Sequence, residues 1–215
     1  MQTSLIFQKL FNCPSYSDLF LDSSQNKLFF FARKGLSKTL MSIDLNKMDK
    51  ASEVLRAEIK IKSSFGYGGS SFVPSSRGIY YTASDKSLCF FDTSKAQISV
   101  LTKSFLSLAH PVLSPSGRFL LFLAEEEEGS SNVYLLDLRT KNAPLKISKD
   151  PWYAFNPVFS ADEKIISWQE WQEGTMPWYE SRLVLLFFSE IKEQNAKTFL
   201  KDFSYKLISQ EKTSL

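Results

Sequence analysis

A repeat of about 45 residues constrains the fold of this chain more than any other feature of its sequence. Residues 101–122 and 147–168 align without a gap, at an offset of 46 positions from 101 to 147. The clearest matches are Leu101 with Ile147, Lys103 with Lys149, Pro111 with Pro157, Val112 with Val158 and Ser114 with Ser160. Residues 19–45 and 72–92 are weaker copies. Each copy reads as an apolar strand, a polar turn, a second apolar strand and a third strand (TLMSIDL, SLCFFD, NVYLLDL or RLVLLFF).

A fourth short strand, such as residues 99–102 or 145–148, leads from one copy into the next. Four strands in ~40–50 residues are typical of a β-propeller blade. A single sheet cannot cover both of its faces, and stacked blades bury them with large side chains such as Phe, Tyr and Trp. We therefore predict an all-β chain that forms a partial β-propeller of about four four-stranded blades, without an α/β-hydrolase domain. The alternative is an ordinary β-sandwich.

The repeat also predicts where the blades begin and end. The expected blades are residues 15–60, 61–104, 105–149 and 150–210, between a lead-in at 1–14 and a tail at 211–215. The spacing of apolar residues in Ile191–Ile208 suits either a helix or strands. Because KLISQ at 206–210 is similar to LKISK at 145–149, which is the fourth strand of the preceding copy, we favour a strand.

Composition excludes several classes of function. The chain of 215 residues holds one His and two Cys, so most metal sites and most His-based catalysis are excluded, and no cofactor is expected. Cys13 and Cys89 lie far apart and are expected to be buried or idle thiols. A net charge of +3 argues against nucleic-acid or membrane partners. No signal peptide or membrane span is evident, so a cytoplasmic protein is expected.

Three stretches carry a resemblance to a known family. Tyr67–Phe72 (YGGSSF) is similar to a tyrosine-and-glycine stretch of an early blade in peptidases of the prolyl oligopeptidase superfamily, in the acylaminoacyl-peptidase and dipeptidyl-aminopeptidase-like branch. Pro111–Arg118 resembles the Ser-Pro-Asp-Gly blade opening of these propellers and of TolB-like repeats, with Ser116 in place of Asp. Trp152–Ala154, followed by the segment 168–179 with its Met-Pro-Trp sequence, resembles the tryptophan-rich blade of the family.

This resemblance covers roughly the first four blades of a longer propeller, which in the family is followed by an α/β-hydrolase domain with a Ser-Asp-His triad. The sequence has no GxSxG nucleophile elbow, so no catalytic residue is carried over and the chain alone is not expected to be an enzyme. The resemblance implies the non-catalytic N-terminal propeller of a serine peptidase, from a truncated or split gene, with a hydrolase-domain chain as partner and peptides as substrates in that context. The alternative is a stand-alone interaction module that closes its ring with a second copy.

The candidate substrate-gating residues belong to the last copy: Trp168, Trp171, Met176, Pro177, Trp178, Tyr179 and Arg182. Their alternative role is packing between blades. His110 corresponds to Asn156 in the repeat and is interpreted as a polar turn residue rather than a catalytic base. The carboxylates of Glu125–Glu128 are expected to be solvated at a hairpin tip, and Gly66–Ser71 to connect into an inner strand rather than bind phosphate.

Overall fold

The computed structural model describes residues 14–34, 37–47, 50–55, 59–62, 69–127, 129–149, 151–194 and 197–209. These residues form β-strands and no α-helix, so the described part of the chain has no helix that is long and apolar enough to cross a membrane. The strands make four four-stranded sheets and one two-stranded hairpin. The predicted all-β class with four four-stranded units is confirmed.

The four sheets follow one another along the chain, and each has its strands in sequence order. The first contains β1 (Ser15–Asp22), β2 (Lys27–Lys34), β3 (Ser37–Asp44) and β4 (Ser52–Glu53). The second contains β5 (Phe72–Ser75), β6 (Gly78–Thr82), β7 (Leu88–Asp92) and β8 (Gln97–Thr102). The third contains β9 (Ser107–Leu113), β10 (Phe119–Glu125), β11 (Asn132–Asp137) and β12 (Leu145–Lys146).

The fourth sheet contains an insertion that the repeat does not predict. Its strands are β13 (Tyr153–Phe159), β14 (Ile165–Trp171), β15 (Arg182–Phe187) and β18 (Ser204–Ser209). Between β15 and β18 lies a separate antiparallel hairpin of β16 (Glu190–Gln194) and β17 (Lys197–Lys201). Strand β18 pairs with β15 as β12 pairs with β11, so the strand favoured for the KLISQ segment is confirmed over the described residues.

The described residues divide into two compact units: those within 1–60, 74–79 and 91–97 in one, and those within 61–73, 80–90 and 98–215 in the other. In the first unit, β2 alternates between buried and more exposed side chains, with Phe29 and Phe31 buried. On the other face of this sheet Tyr16 is 61% exposed and contacts the ring of Phe30 edge to face. The first sheet therefore buries one face more fully than the other.

In the second unit, the third sheet is buried on both faces. Six consecutive residues of β10, Phe119–Ala124, are buried, and so is every residue of β11. Leu121 and Leu123 join a core that includes Trp168 of the fourth sheet, while the opposite face carries Phe122 stacked on Tyr134. A continuous apolar run of this kind is what a strand covered on both sides requires.

The fourth sheet, in contrast, buries one face against the third. Its strands β14 and β15 alternate, with Ile166, Trp168, Val184 and Leu186 buried in the shared core. The opposite face carries Val158, Leu183 and Ile208, which are 47%, 42% and 45% exposed, and the partly buried Ile165, Leu185 and Phe187. We call these six residues the open face of the fourth sheet.

The polar turns explain why serine recurs in the repeat. The Ser160 hydroxyl accepts a hydrogen bond from the Ile165 backbone N–H at 3.0 Å, and Ser114 accepts one from Phe119 at 3.2 Å. Each serine thus satisfies a backbone donor where the turn re-enters the second strand.

A β-bulge lies at an equivalent place in β1, β9 and β13, which are the first strands of three of the sheets. This bulge explains what His110 and Asn156 share. The pairing register shifts between Ser17 and Phe20 in β1, and between Phe155 and Val158 in β13. In β9 the extra residues are 110 and 111, which lie opposite the register shift in β10. The bulged residues Asp18, His110 and Asn156 all have left-handed backbones, with φ of 52°, 55° and 49°. Asp, Asn and His are enriched in this conformation. The expectation of a turn residue is therefore corrected: His110 lies within β9, and the position requires tolerance of positive φ rather than a turn.

We predict that Asn156→Val lowers the free energy of unfolding by about 1–3 kcal/mol, because a β-branched residue is strained in the left-handed region. Asn156 is exposed, so little packing is lost with its side chain. Urea unfolding measures the change. Asn156→Gly is the matched control and should stay within about 0.5 kcal/mol of wild type, since glycine adopts this backbone freely. Equal stabilities of the Val and Gly variants would contradict the assignment of the bulge.

Candidate functional site

The two tryptophans predicted on the second strand of the last blade are core residues. Trp168 and Trp171 both lie on β14 and are 1% and 2% exposed. Because they are three residues apart on a strand, they point to opposite faces of the sheet. Trp168 lies in the core between the third and fourth sheets, and Trp171 stacks on Tyr153 with ring centroids 5.4 Å apart. The structure therefore places these two residues in packing positions.

The remaining aromatic candidates lie on the loop of residues 172–181, which connects β14 to β15. Met176, Trp178 and Tyr179 are 42%, 69% and 79% exposed, and Pro177 is partly buried. The loop is turned by backbone hydrogen bonds from the N–H groups of Tyr179 and Glu180 to the Met176 carbonyl, at 2.9 and 3.2 Å. We call Met176, Trp178 and Tyr179 the exposed aromatic loop. The structure separates it from the buried Trp168.

The corresponding loop of the third sheet, residues 126–131, meets the start of β13. Ser131 donates its backbone N–H to the Trp152 carbonyl and its hydroxyl to the Ala154 carbonyl, both at 2.9 Å, and the Ala154 N–H returns to the Ser131 carbonyl at 3.0 Å. Tyr153 at the start of β13 pairs with Trp171 at the end of β14. The loops that follow β10 and β14 therefore lie at the end of each sheet where its first strand, β9 or β13, begins. These bonds fix the base from which the exposed aromatic loop extends.

Two glutamates of the run Glu125–Glu128 make local contacts beside that third-sheet loop. The Glu125 carboxylate accepts the Gly129 N–H at 2.6 Å, and Glu126 lies 3.0 Å from the Lys146 ammonium. Glu128 lies outside the described residues. Within the residues that the structure describes, no group of three or more His, Cys, Asp or Glu side chains can hold a metal ion.

A charged group that the sequence analysis did not single out lies beneath Trp168. Glu170 is 5% exposed, and its carboxylate accepts hydrogen bonds from the Trp168 indole N–H at 2.9 Å and from Arg182 Nε at 2.7 Å. Glu170 and Arg182 are directly opposite on β14 and β15, so the pair crosses one strand interval. The candidate Arg182 therefore contacts a buried carboxylate. The available signal was a charge two residues after Trp168, on the face of the strand that otherwise carries Ile166 and Trp168.

Tyr205 of β18 extends the same group. Its hydroxyl donates to the Ile147 carbonyl at 2.8 Å, and Lys149 Nζ lies 4.0 Å from the centre of its ring. The pKa of Tyr205 is raised, first by burial and then by the negative charge of Glu170. Its ring meets the Trp168 ring edge to face at 6.3 Å.

The departure from the Ser-Pro-Asp-Gly pattern at Ser116 has a structural counterpart. The Ser116 backbone N–H donates to Glu163, and the Ser116 hydroxyl donates to the second oxygen of the same carboxylate at 2.9 Å. An aspartate at position 116 would bring a second negative charge beside Glu163. Serine therefore suits the contact between the turns of the third and fourth sheets.

His110 is a packed residue rather than a base at a site. Its ring contacts Phe155 edge to face at 5.9 Å, and its buried Nδ1 has no hydrogen-bond partner among the described residues. Gly69, with φ of +102°, approaches so closely that an added Cβ would lie 3.1 Å from Nδ1. Burial lowers the pKa of His110. Gly66–Gly68 lie outside the described residues, as does Cys13, and Cys89 is a buried free thiol.

We predict that the free energy of unfolding falls below pH ~6.5 because of the protonation of His110. The folded-state pKa of His110 is lowered, so the unfolded chain takes up a proton first as the pH drops. The stability that is present in full above the unfolded pKa is lost as the pH falls towards the folded pKa. His110 is the only histidine in the chain, which makes the comparison clean. Denaturant unfolding of wild type and His110→Asn between pH 7.5 and 5 should show a steeper loss for wild type, and parallel curves would contradict it.

No family model and no curated protein matches the chain. Among solved structures, a puromycin-hydrolyzing peptidase from Mycobacterium tuberculosis is 16% identical with a TM-score of 0.72, over 91% of this chain and 31% of that one. TolB from Acinetobacter baumannii is 15% identical with a TM-score of 0.61, over 80% and 40%. The chain has the fold of a partial β-propeller. The predicted fold is confirmed, and the β-sandwich alternative is wrong.

A third structural neighbour, from a study of two prolyl endopeptidases, is 13% identical with a TM-score of 0.62, over 95% of this chain and 31% of that one. The matched regions of these peptidases are propellers of the prolyl oligopeptidase family, as the sequence resemblance implied, and are non-catalytic in them. The chain thus spans about a third of the length of the peptidases that it resembles.

Proposed function

We propose that the chain serves as the non-catalytic propeller part of a serine peptidase and works with an α/β-hydrolase domain that it caps. The observation that carries this proposal is the open face of the fourth sheet. The third sheet is covered on both faces, whereas Leu183 and Ile208 of the fourth remain 42% and 45% exposed. A face of this kind is suited to stacking against a further blade of a larger propeller. The likeness to peptidase propellers supports the choice of a peptidase.

Within this function, the exposed aromatic loop is the proposed gating surface. Among the residues that the structure describes, Trp178 and Tyr179 are the two most exposed large apolar side chains, at 69% and 79%. Their ring centroids lie 6.2 Å apart, so they present one continuous apolar surface. Such rings contact the side chains and backbone of a peptide with little loss of conformational entropy. Trp168 and Trp171 support the strand that positions this loop rather than contacting substrate themselves.

The first test asks whether a hydrolase domain accompanies the chain. The tagged chain is purified from its natural source and the preparation is treated with a fluorophosphonate, which labels activated serine nucleophiles. A labelled polypeptide other than this chain is expected. Its absence, together with no label on a longer form of the chain, would contradict the proposal.

We predict that Trp178→Ala changes the peptide selectivity of the assembled peptidase. The ratio of kcat/KM for a long peptide to that for a dipeptide should shift by about tenfold. The reason is that the variant removes a large contact from the proposed gating surface. Phe203→Ala is the matched control, since Phe203 is 54% exposed and lies at the opposite end of the fourth sheet, beside the first residue of β18. Unchanged selectivity for Trp178→Ala would remove the gating role.

The second candidate function is a stand-alone interaction module that closes its ring with a second copy. The same open face favours it, because an apolar sheet face can be covered by another copy as well as by another blade. A discrete dimer without any labelled hydrolase would support this function over the first. The cytoplasmic location stays a prediction under both.

A further inference from the structure

A cavity of about 240 Å³ lies at the outer edge of the contact between the third and fourth sheets. Its deepest groups are Trp168 and Glu170, which are 1% and 5% exposed. Tyr205 and Val184 form its walls, and Leu207 and Lys149 lie at its exposed mouth. An apolar cavity of ~150 Å³ is enough to hold benzene. This cavity therefore has room for an aromatic ring and one polar group.

The charged groups around the cavity decide which polar group fits. Each Glu170 oxygen accepts one hydrogen bond, one from the Trp168 indole N–H and one from Arg182 Nε. Arg182 uses one of its five N–H donors in this bond, and among the described residues its terminal nitrogens make no other hydrogen bond. Lys149 lies over the Tyr205 ring and makes no ion pair among the described residues. The unused hydrogen-bond donors around the cavity thus belong to two cations, which favours an anion.

The walls select the rest of the ligand. The Trp168 and Tyr205 rings meet at an interplanar angle of 84°, which forms an aromatic corner. Val184 and Leu207 close the cavity with aliphatic surface. A flat apolar group can therefore lie in this corner while its charged end reaches Arg182 and Lys149. With two cations and one carboxylate, the cavity carries a net charge of +1 and is balanced by a single negative charge.

We propose that this cavity binds a monocarboxylate joined to a flat apolar group, with Arg182 and Lys149 holding the carboxylate and Trp168 and Tyr205 holding the ring. This site shares no residue with the exposed aromatic loop, although Arg182 directly follows that loop, and it does not depend on the peptidase function. The ligand has two possible sources, a small free aromatic acid or the C-terminal residue of a peptide. Both present the same carboxylate and ring.

The test measures binding of phenylacetate and phenylacetamide to the full chain by isothermal titration calorimetry. Phenylacetate should bind about tenfold more tightly than its uncharged amide, since the amide loses a charge-assisted hydrogen bond. The NMR signal of the Trp168 indole N–H, assigned through Trp168→Phe, should shift on titration and locate the ligand. Equal binding of acid and amide, or no binding of the acid, would overturn the proposal.

Variants separate the site from general charge effects. Lys149→Gln changes an exposed side chain and should weaken phenylacetate binding about tenfold without loss of stability. Lys206→Gln is the matched control, because Lys206 is exposed and points to the opposite face of β18 from Tyr205. Arg182→Gln alone would leave Glu170 buried without its cation, so it is combined with Glu170→Gln. Unchanged affinity in Lys149→Gln would overturn the proposal.

The two ligand sources give different orders of affinity. N-acetyl-L-phenylalanine binding more tightly than phenylacetate indicates a peptide C-terminus, and the reverse order indicates a small free acid. Either order supports the cavity chemistry, provided that the matching amides bind more weakly. A failure of the fluorophosphonate test for the peptidase function would leave these binding results unaffected.

Discussion

The stacking of the third sheet on the fourth is the interaction on which the rest of the described structure depends. Leu121 and Leu123 from one sheet meet Trp168 and Val184 from the other in a single core. Burying apolar side chains of this size contributes about 1.5–3 kcal/mol each before conformational entropy is counted. This contact fixes which alternate residues of β14 face the core. Glu170 faces inward because Trp168, two residues earlier, does so.

The same stacking explains why functional groups collect at the edges of the contact. Where the sheets separate, the apolar core ends and Glu170, Arg182 and Lys149 surround a cavity. A buried ion pair stabilises a fold weakly, because desolvation offsets much of the attraction. Arg182 is 39% exposed in this pair, so its remaining donors stay accessible to the ligand that we propose. The exposed aromatic loop begins at this same end of β14, two residues after Glu170, and the chain re-enters the sheet at Arg182.

Much of the fold follows from the sequence because the repeat records local turn chemistry. Ser114 and Ser160 occupy the same place in two turns and make the same hydrogen bond, so the strand positions could be predicted from spacing. The hairpin of β16 and β17 could not, because its few apolar residues, Ile191, Phe199 and Leu200, also suit a helical face. The choice is decided by the pairing of β16 with β17, which the spacing of these apolar residues does not reveal.

The site was less predictable, since it depends on contacts across strands. Trp168 and Trp178 are close in sequence and similar in chemistry, yet one is 1% and the other 69% exposed. No local pattern shows that Arg182 lies opposite Glu170, because the register of β15 is fixed only when the sheet forms. His110 and Asn156 match in the repeat, but their shared requirement is the sign of φ, which the residue types alone do not reveal.

We propose that the open face of the fourth sheet is covered by a further sheet in the functional protein. Sedimentation velocity over a range of concentrations tests it on wild type and on the double variant Leu183→Lys with Ile208→Lys. Wild type alone should associate through this face, and the double variant should remain monomeric with unchanged unfolding free energy. Ile98→Lys with Val100→Lys, at exposed apolar positions of β8, is the matched control and should associate like wild type. A wild-type chain that stays monomeric, or a double variant that associates equally, would contradict the claim.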